Sequence, residues 1–315
     1  MNSKIPLVVV AGPTASGKTD VGIAICRQFH GEVVSADSMQ IYQHLTVGTA
    51  KPTLEEQQGI PHHLMDFLPP SQSFSVAEYV SLAHKAIKEI YSRGKLPVVV
   101  GGTGLYISSL VDNIQFSQSQ TNEGLRQELG KIAAEQGNEF LWQQLAAVDP
   151  KAAQAIHPNN VGRVVRALEF YQTTGKTISQ QQEDSKKTPS PYQPHMIGLN
   201  YKDRELLYQR IDLRVELMLE NGLENEARWL MEQGYAATAS QAIGYKEMFD
   251  YLQGKEPLST AIEKIQQGSR RYAKRQLTWF RKDPRIQWFF PDIYTEKREL
   301  VEDIQKYLAN RLKMC

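Results

Sequence analysis

The sequence predicts an α/β core, a parallel sheet flanked by helices, carrying an inserted helical domain. Three observations support this. Short apolar runs at 7–11 (LVVVA), 32–36 (EVVSA) and 97–100 (PVVV) each end in a polar or glycine-rich turn, as do strands buried on both faces of a sheet. Helical patterns such as 75–91 lie between them, and this alternation places ligands at the strand C-termini. From about 115 to 195 the chain changes character and becomes rich in Gln, Glu and Ala, with Leu125, Leu129 and Ile132 at helical spacing.

The remaining elements follow in chain order. The stretch 180–194 is polar and holds three prolines, so it reads as a loop or linker. A strand is expected at 196–200, leading into Asp203 as N-cap of a helix over 204–220. The C-terminal third is helical, with a short strand at 286–290 and a last helix behind it. The expected domains are therefore 1–114 with 196–315 as the core and 115–195 as the insertion. No internal repeat is visible.

Composition bounds the function classes. Of 315 residues, 41% are hydrophobic and 23% charged, as in soluble globular proteins. Lys and Arg total 36 against 35 Asp and Glu, so only local clustering of charge can point to a polyanionic partner. Cys26 and Cys315 are far apart and form no CxxC pair, which fits a reducing compartment. No apolar run reaches membrane-spanning length, and the 7–11 stretch is too short for the core of a signal peptide. A cytoplasmic protein with no membrane partner, acting as a monomer, is expected.

The first chemical motif is Gly12-Pro13-Thr14-Ala15-Ser16-Gly17-Lys18-Thr19, a G-x-x-x-x-G-K-[ST] loop between a strand and a helix. Its backbone N–H groups can surround phosphate oxygens, the helix N-terminus adds partial positive charge, and Lys18 adds a full one. Thr19 would offer its hydroxyl to Mg²⁺, the expected cofactor. The core is thus of the P-loop NTPase-like kind. The loop identifies a diphosphate rather than a nucleotide. A P-loop kinase or ATPase is one reading, but no apolar strand ends in an Asp placed as the second metal ligand, and the run 97–100 ends in Gly-Gly-Thr-Gly.

The second motif is Val34-Ser-Ala-Asp37-Ser38-Met39-Gln40-Ile41-Tyr42. A carboxylate beside a bound diphosphate is unfavourable unless it holds metal or removes a proton. Asp37 could equally cap a helix. His62 and His63 suggest metal, but adjacent histidines on an irregular segment suit structural hydrogen bonds better. Residues 270–282 carry Arg270, Arg271, Lys274, Arg275, Arg281 and Lys282 with no acid among them. On a helix most of that charge shares one face, as phosphate neutralisation needs. Tyr272, Trp279 and Phe280 interleave and could stack on bases or pack inward, the latter being favoured for Phe280.

The strings GPTASGKT, DSMQIY, GTAKP, PHHL, VGGTGLY, AIGYKE and KRQLTWFR occur in this order. Together they resemble the bacterial tRNA dimethylallyltransferases over nearly the whole chain. The resemblance implies that 12–19 hold dimethylallyl diphosphate and that Asp37 takes a proton from the exocyclic amine of an adenine. That amine is a poor nucleophile, because its lone pair is delocalised into the ring. Lys18, Mg²⁺ and an arginine from the 204–220 helix would meet the leaving diphosphate. Arg210 and Arg214 share one face of that helix, and the family motif favours Arg214. Ion pairs with Asp212 and Glu216 are the alternative for both. Thr103 would contact the adenine and the diphosphate.

The same resemblance makes the anticodon stem-loop of tRNA the partner. Arg126, Gly162, Arg163 and Arg166 in the insertion, with Lys274, Arg275 and Arg281, would grip it. The target would be the adenosine 3′ of the anticodon in tRNAs reading codons that start with U. A stacked base cannot reach the P-loop, so it must be flipped out toward Asp37, Ser38, Met39 and Gln40, with Ser38 and Gln40 placed to bond it. A relative that prenylates free adenine nucleotides is the nearest rival reading. The insertion and the 270–282 cluster argue for a larger polyanion.

Overall fold

The computed structural model describes residues 4–116, 122–234 and 238–312. The chain divides into two compact units, Met1–Val111 with Pro191–Cys315, and Asp112–Ser190.

The first unit is built on a parallel six-stranded sheet with strands β1 (Ile5–Ala11), β2 (Gly31–Ser35), β3 (His62–His63), β4 (Leu96–Gly101), β5 (Tyr192–Leu199) and β6 (Ile286–Phe289). Their spatial order is β3-β2-β4-β1-β5-β6. β2 and β3 lie on one side of β1 with β4 inserted between β2 and β1, and β5 and β6 lie on the other side, so a crevice opens beside the C-terminal end of β1. Val8, Val10, Val33, Val98, Ile197 and Leu199 are buried in one apolar cluster with Ile25 of the Lys18–Phe29 helix and Ile304 of the Lys297–Ala309 helix. A second cluster joins Ile41, Tyr42 and Leu45 to Val215, Leu223, Tyr245 and Ile265 of the C-terminal helices.

Two expectations need correction. The stretch 180–194 is not a loop. Ile178–Lys186 is a helix, nucleated by a reciprocal capping box between Thr177 and Gln180, and its polar composition reflects an exposed face. β5 begins at Tyr192 rather than at 196, because the Ile5 N–H already donates to the Pro191 carbonyl at 2.9 Å. Pro194 sits opposite Leu7 in the stretch where β5 has only β1 as neighbour. Its missing N–H therefore faces the open side, where a strand proline is tolerated. The two-residue strand β3 has no signature in the sequence. It is too short to show a period.

The second unit packs Leu129, Leu141, Leu145, Val164 and Leu168 from its helices into a separate core. Trp142 donates from Nε1 to the Ile156 carbonyl at 2.8 Å. Asp149 accepts the N–H groups of Ala152 and Ser179, each at 3.0 Å.

Candidate active site

The crevice at the end of β1 is shaped by close backbone approach. A Cβ added at Gly12 would sit 2.6 Å from the Leu199 carbonyl oxygen of β5, so the turn admits only glycine. The loop then enters the Lys18–Phe29 helix through Gly17, which caps it with no side-chain hydrogen bond. The first N–H groups of that helix therefore have no side-chain partner and are available to an anion. The loop is braced from within and from outside. Ser16 Oγ donates to the Pro13 carbonyl at 2.8 Å, and Arg210 Nε donates to the Ala15 carbonyl at 3.1 Å. The Thr14 N–H donates to Gln276 Oε1 at 2.9 Å, so it supports the loop's shape and does not point at a ligand.

Lys18 Nζ donates to the Pro13 carbonyl at 2.5 Å. Burial, then the Arg214 guanidinium, pull its pKa down to about 7, and Asp37 opposes them. Burial likewise lowers Arg214, while Asp37 and then Glu56 support its charge. Lys18, Asp37 and Arg214 thus share one electrostatic environment, two cations and one carboxylate at the mouth of the loop. Arg214 makes no ion pair among the described residues. The alternative of surface pairing with Asp212 is not realised, because Asp212 is bonded to Arg270. That pairing also removes Arg270 from the free positive charge of its own helix.

Asp37 follows β2 on a loop tied to β4. The Ala36 N–H donates to the Val100 carbonyl at 2.8 Å, and the Thr103 N–H donates to the Ala36 carbonyl at 3.1 Å. The Ser38 N–H donates to Thr103 Oγ1 at 3.0 Å. Asp37 Oδ1 accepts the N–H groups of Met39 at 2.9 Å and Gln40 at 3.4 Å. No helix begins here, so Asp37 closes a turn rather than capping a helix, and its second oxygen stays out of that turn. Gln40, expected to bond a base, is turned inward. Its Nε2 donates to the Ala50 carbonyl at 3.0 Å and its Oε1 accepts from Ser35 Oγ at 3.4 Å. Ser38 is the polar side chain of this loop that faces Thr103.

Thr19 is half-buried at the helix start, and its hydroxyl makes no side-chain hydrogen bond among the described residues. No group of three or more His, Cys, Asp or Glu suited to a metal occurs among them either. One free hydroxyl at the start of the helix that follows the glycine loop fits Mg²⁺, which takes few protein oxygens and completes its shell with other oxygens.

The Leu258–Phe280 helix presents two faces. Ala273, Gln276, Leu277 and Phe280 are buried, whereas Arg271, Lys274 and Arg275 are exposed. Those three cations, and Arg281 just beyond, form no ion pairs among the described residues. Arg275 lies over the Tyr272 ring, 5.5 Å from its centre, and Trp279 is 42% exposed. Within the second unit, Arg163 and Arg166 are exposed and unpaired among the described residues, and open space surrounds Gly162. Arg126 differs. Its Nε donates at 2.9 Å to Glu169, which is buried and also accepts the Asn122 N–H, so its charge serves the unit's own core.

Other motif residues are structural. His63 Nε2 pairs with Glu32 at 2.7 Å, and His62 Nδ1 meets the Ile60 carbonyl at 2.8 Å. A Cβ at Gly48 would lie 2.6 Å from the Tyr245 ring, and Tyr245 donates to Glu226 at 2.6 Å. Glu226 in turn accepts the N–H groups of Thr46, Val47 and Gly48. Sequence reasoning missed Glu226 and the bridging role of Gln276. For Gln276 a signal existed: a polar residue, 6% exposed, in the apolar stripe of an amphipathic helix.

Among known proteins, the family model for IPP transferase matches residues 40–283. The tRNA dimethylallyltransferase of Thermoanaerobacter sp. (strain X514) is 50% identical over 311 residues, 98% of this chain and 99% of that one. The enzyme of that name from Halalkalibacterium halodurans is 46% identical, covering 98% of each chain. The crystal structure of the tRNA isopentenylpyrophosphate transferase from Bacillus halodurans has a TM-score of 0.74 at 44% identity, covering 98% of this chain and 97% of that one. A eukaryotic dimethylallyltransferase solved acting on tRNA has a TM-score of 0.79 at 30% identity, covering 97% of this chain and 80% of that one. The relatives align along nearly the whole chain, beyond the span of the family model, so by sequence and by fold the chain belongs to the IPP transferase family.

Proposed function

We propose that this protein transfers a dimethylallyl group from dimethylallyl diphosphate to the exocyclic amine of the adenosine 3′ of the anticodon, in tRNAs reading codons that start with U. The observation that carries the reading is the convergence of Lys18 and Arg214 on Asp37 at the mouth of the glycine loop. The donor's C1–oxygen bond breaks, a bond forms between C1 and the adenine nitrogen, and that nitrogen's proton passes to the free oxygen of Asp37. Negative charge growing on the departing diphosphate meets Lys18, Arg214 and the helix N-terminus, already in place before the bond breaks. Arg210 holds the loop carbonyl of Ala15 and so the loop's shape. Thr103 and Ser38 lie between the two substrates.

Mg²⁺, held by Thr19, would supply further positive charge to the diphosphate. Lys274, Arg275 and Arg281 suit the phosphates of the anticodon stem-loop, as do Arg163 and Arg166 on the second unit, with Met39 at the base pocket. The names of the relatives support tRNA as acceptor, and we infer a cytoplasmic monomer. No described helix is long and apolar enough to cross a membrane. The test is incubation with labelled dimethylallyl diphosphate and either bulk tRNA or AMP, with ATP consumption followed separately. Label in tRNA without ATP use is expected. Label in AMP alone, or ATP use without transfer, sinks the reading.

A further inference from the structure

Gln40 commits its side chain to the loop that follows it. Its Nε2 donates to the Ala50 carbonyl at 3.0 Å and reaches the Thr49 carbonyl at 3.4 Å, while its N–H donates to Asp37 Oδ1 at 3.4 Å. The turn closed by Asp37 is therefore placed by the carbonyls of residues 49 and 50. Ala50 has a φ of 44°, a left-handed conformation unfavourable for alanine. Such a residue persists only where its surroundings hold it.

The hold comes from Glu226, in the first turn of the Leu223–Glu232 helix. Its Oε2 accepts the N–H groups of Thr46 at 2.7 Å and Val47 at 2.9 Å. Its Oε1 accepts the Gly48 N–H at 2.8 Å and the Tyr245 hydroxyl at 2.6 Å. Three consecutive backbone N–H groups thus converge on one carboxylate. Bonds within the loop carry the placement onward. The Ala50 N–H donates to the Val47 carbonyl at 2.9 Å, and the Lys51 N–H donates to the Thr46 carbonyl at 3.0 Å.

We propose that Glu226 is a positioning residue for the reaction. Acting through the 46–50 loop and Gln40, it holds the Asp37 turn closed and keeps the second oxygen of Asp37 aimed at the acceptor amine. Proton transfer needs that aim, since a misplacement of about 1 Å can slow an enzyme on the order of 100-fold. The inference rests on the proposed role of Asp37 as the base.

The experiment is single-turnover prenyl transfer at saturating donor and tRNA, with melting temperatures and both dissociation constants measured alongside. The variants are Glu226→Gln, Glu226→Ala, Gln40→Ala, Asp37→Asn and the double variant Glu226→Gln/Gln40→Ala. A glutamine can turn its oxygen to Thr46 and Val47 and its NH₂ to the tyrosine oxygen, which leaves only the Gly48 N–H without an acceptor. Glu226→Gln should therefore fold even if Glu226→Ala does not. We expect Glu226→Gln and Gln40→Ala each to slow transfer about tenfold, and Glu226→Ala more than either, with donor and tRNA affinities unchanged. In the Gln40→Ala background Glu226→Gln should change the rate by less than about twofold, because the connection is already cut. A wild-type rate for folded Glu226 variants beside a slow Asp37→Asn overturns the inference and leaves the functional reading standing. A Glu226→Gln loss that repeats in full in the Gln40→Ala background, or one that appears in affinity instead of rate, does the same. A wild-type rate for Asp37→Asn overturns the inference and the base assignment together.

Discussion

Thr14 and Gln276 are joined by a hydrogen bond across 262 positions of sequence, the loop N–H donating to the side-chain oxygen at 2.9 Å. The same amide holds the Gly102 carbonyl. One glutamine therefore sets the distance between the glycine loop and the loop bearing Thr103. Gln276→Ala should leave the buried Gly102 carbonyl and the partly buried Thr14 N–H without that partner, lowering stability by about 2–6 kcal/mol, since each orphaned group costs roughly 1–3. Donor affinity should fall with it. Denaturant unfolding and a donor titration check this, and a variant with wild-type stability would contradict the bridge.

On the proposed function, Lys18 should make donor binding depend on pH. Its folded-state pKa is about 7, depressed from 10.5. In the unfolded chain the amine holds its proton to near 10.5, so the folded state gains stability from this group as pH rises from about 7 to 10.5, and that gain is absent below 7. A bound diphosphate favours the charged form and draws the proton back. At about pH 8, donor binding should take up close to one proton, and affinity should fall with rising pH by up to about tenfold per unit. Calorimetry in two buffers of different ionisation enthalpy measures the uptake. Lys18→Ala should abolish it and slow turnover about 100-fold or more. Buffer-independent heats would refute the assignment.

Asp37→Asn separates a proton acceptor from a turn residue. The turn needs one side-chain oxygen to accept the Met39 and Gln40 N–H groups, and Asn supplies it, so stability should change by only a few tenths of a kcal/mol. The second oxygen becomes an NH₂ and cannot take a proton. Single-turnover transfer should drop by about 10²–10⁴. A stable Asn variant with the wild-type rate would move the base to another group.

Neutralising Arg271, Lys274 and Arg275 together should weaken tRNA binding. The slope of log K against log salt should flatten by about one unit for each tRNA phosphate that is no longer neutralised. Transfer from the bound complex should change less than affinity. An unaltered slope would show these cations to be only solvated.

Much of this site is legible in the sequence because its constraints are local. The glycine loop announces itself by spacing, since the turn, the close approach at Gly12 and the charge of Lys18 fall within a single short motif. Asp37 stands out because a carboxylate there needs a reason. The internal bonds of Gln40 are not visible in the sequence, because its partner, the Ala50 carbonyl, is brought beside it by the fold of the GTAKP segment. The 178–186 helix is hidden by its polarity, which its exposed face permits and its capping box offsets. Cys315 lies outside the described residues, whereas Cys26 is a buried free thiol.

The Leu258–Phe280 helix turns Gln276 toward the glycine loop and the Gly102–Thr103 loop, and Arg271, Lys274 and Arg275 toward solvent. One residue inserted ahead of Arg271 would rotate everything beyond it by about 100°, swinging the cations inward and the glutamine out. The rod is thus phase-locked. Its individual side chains can vary in evolution, but its length cannot, and insertions or deletions in this family should collect in the turns that flank it.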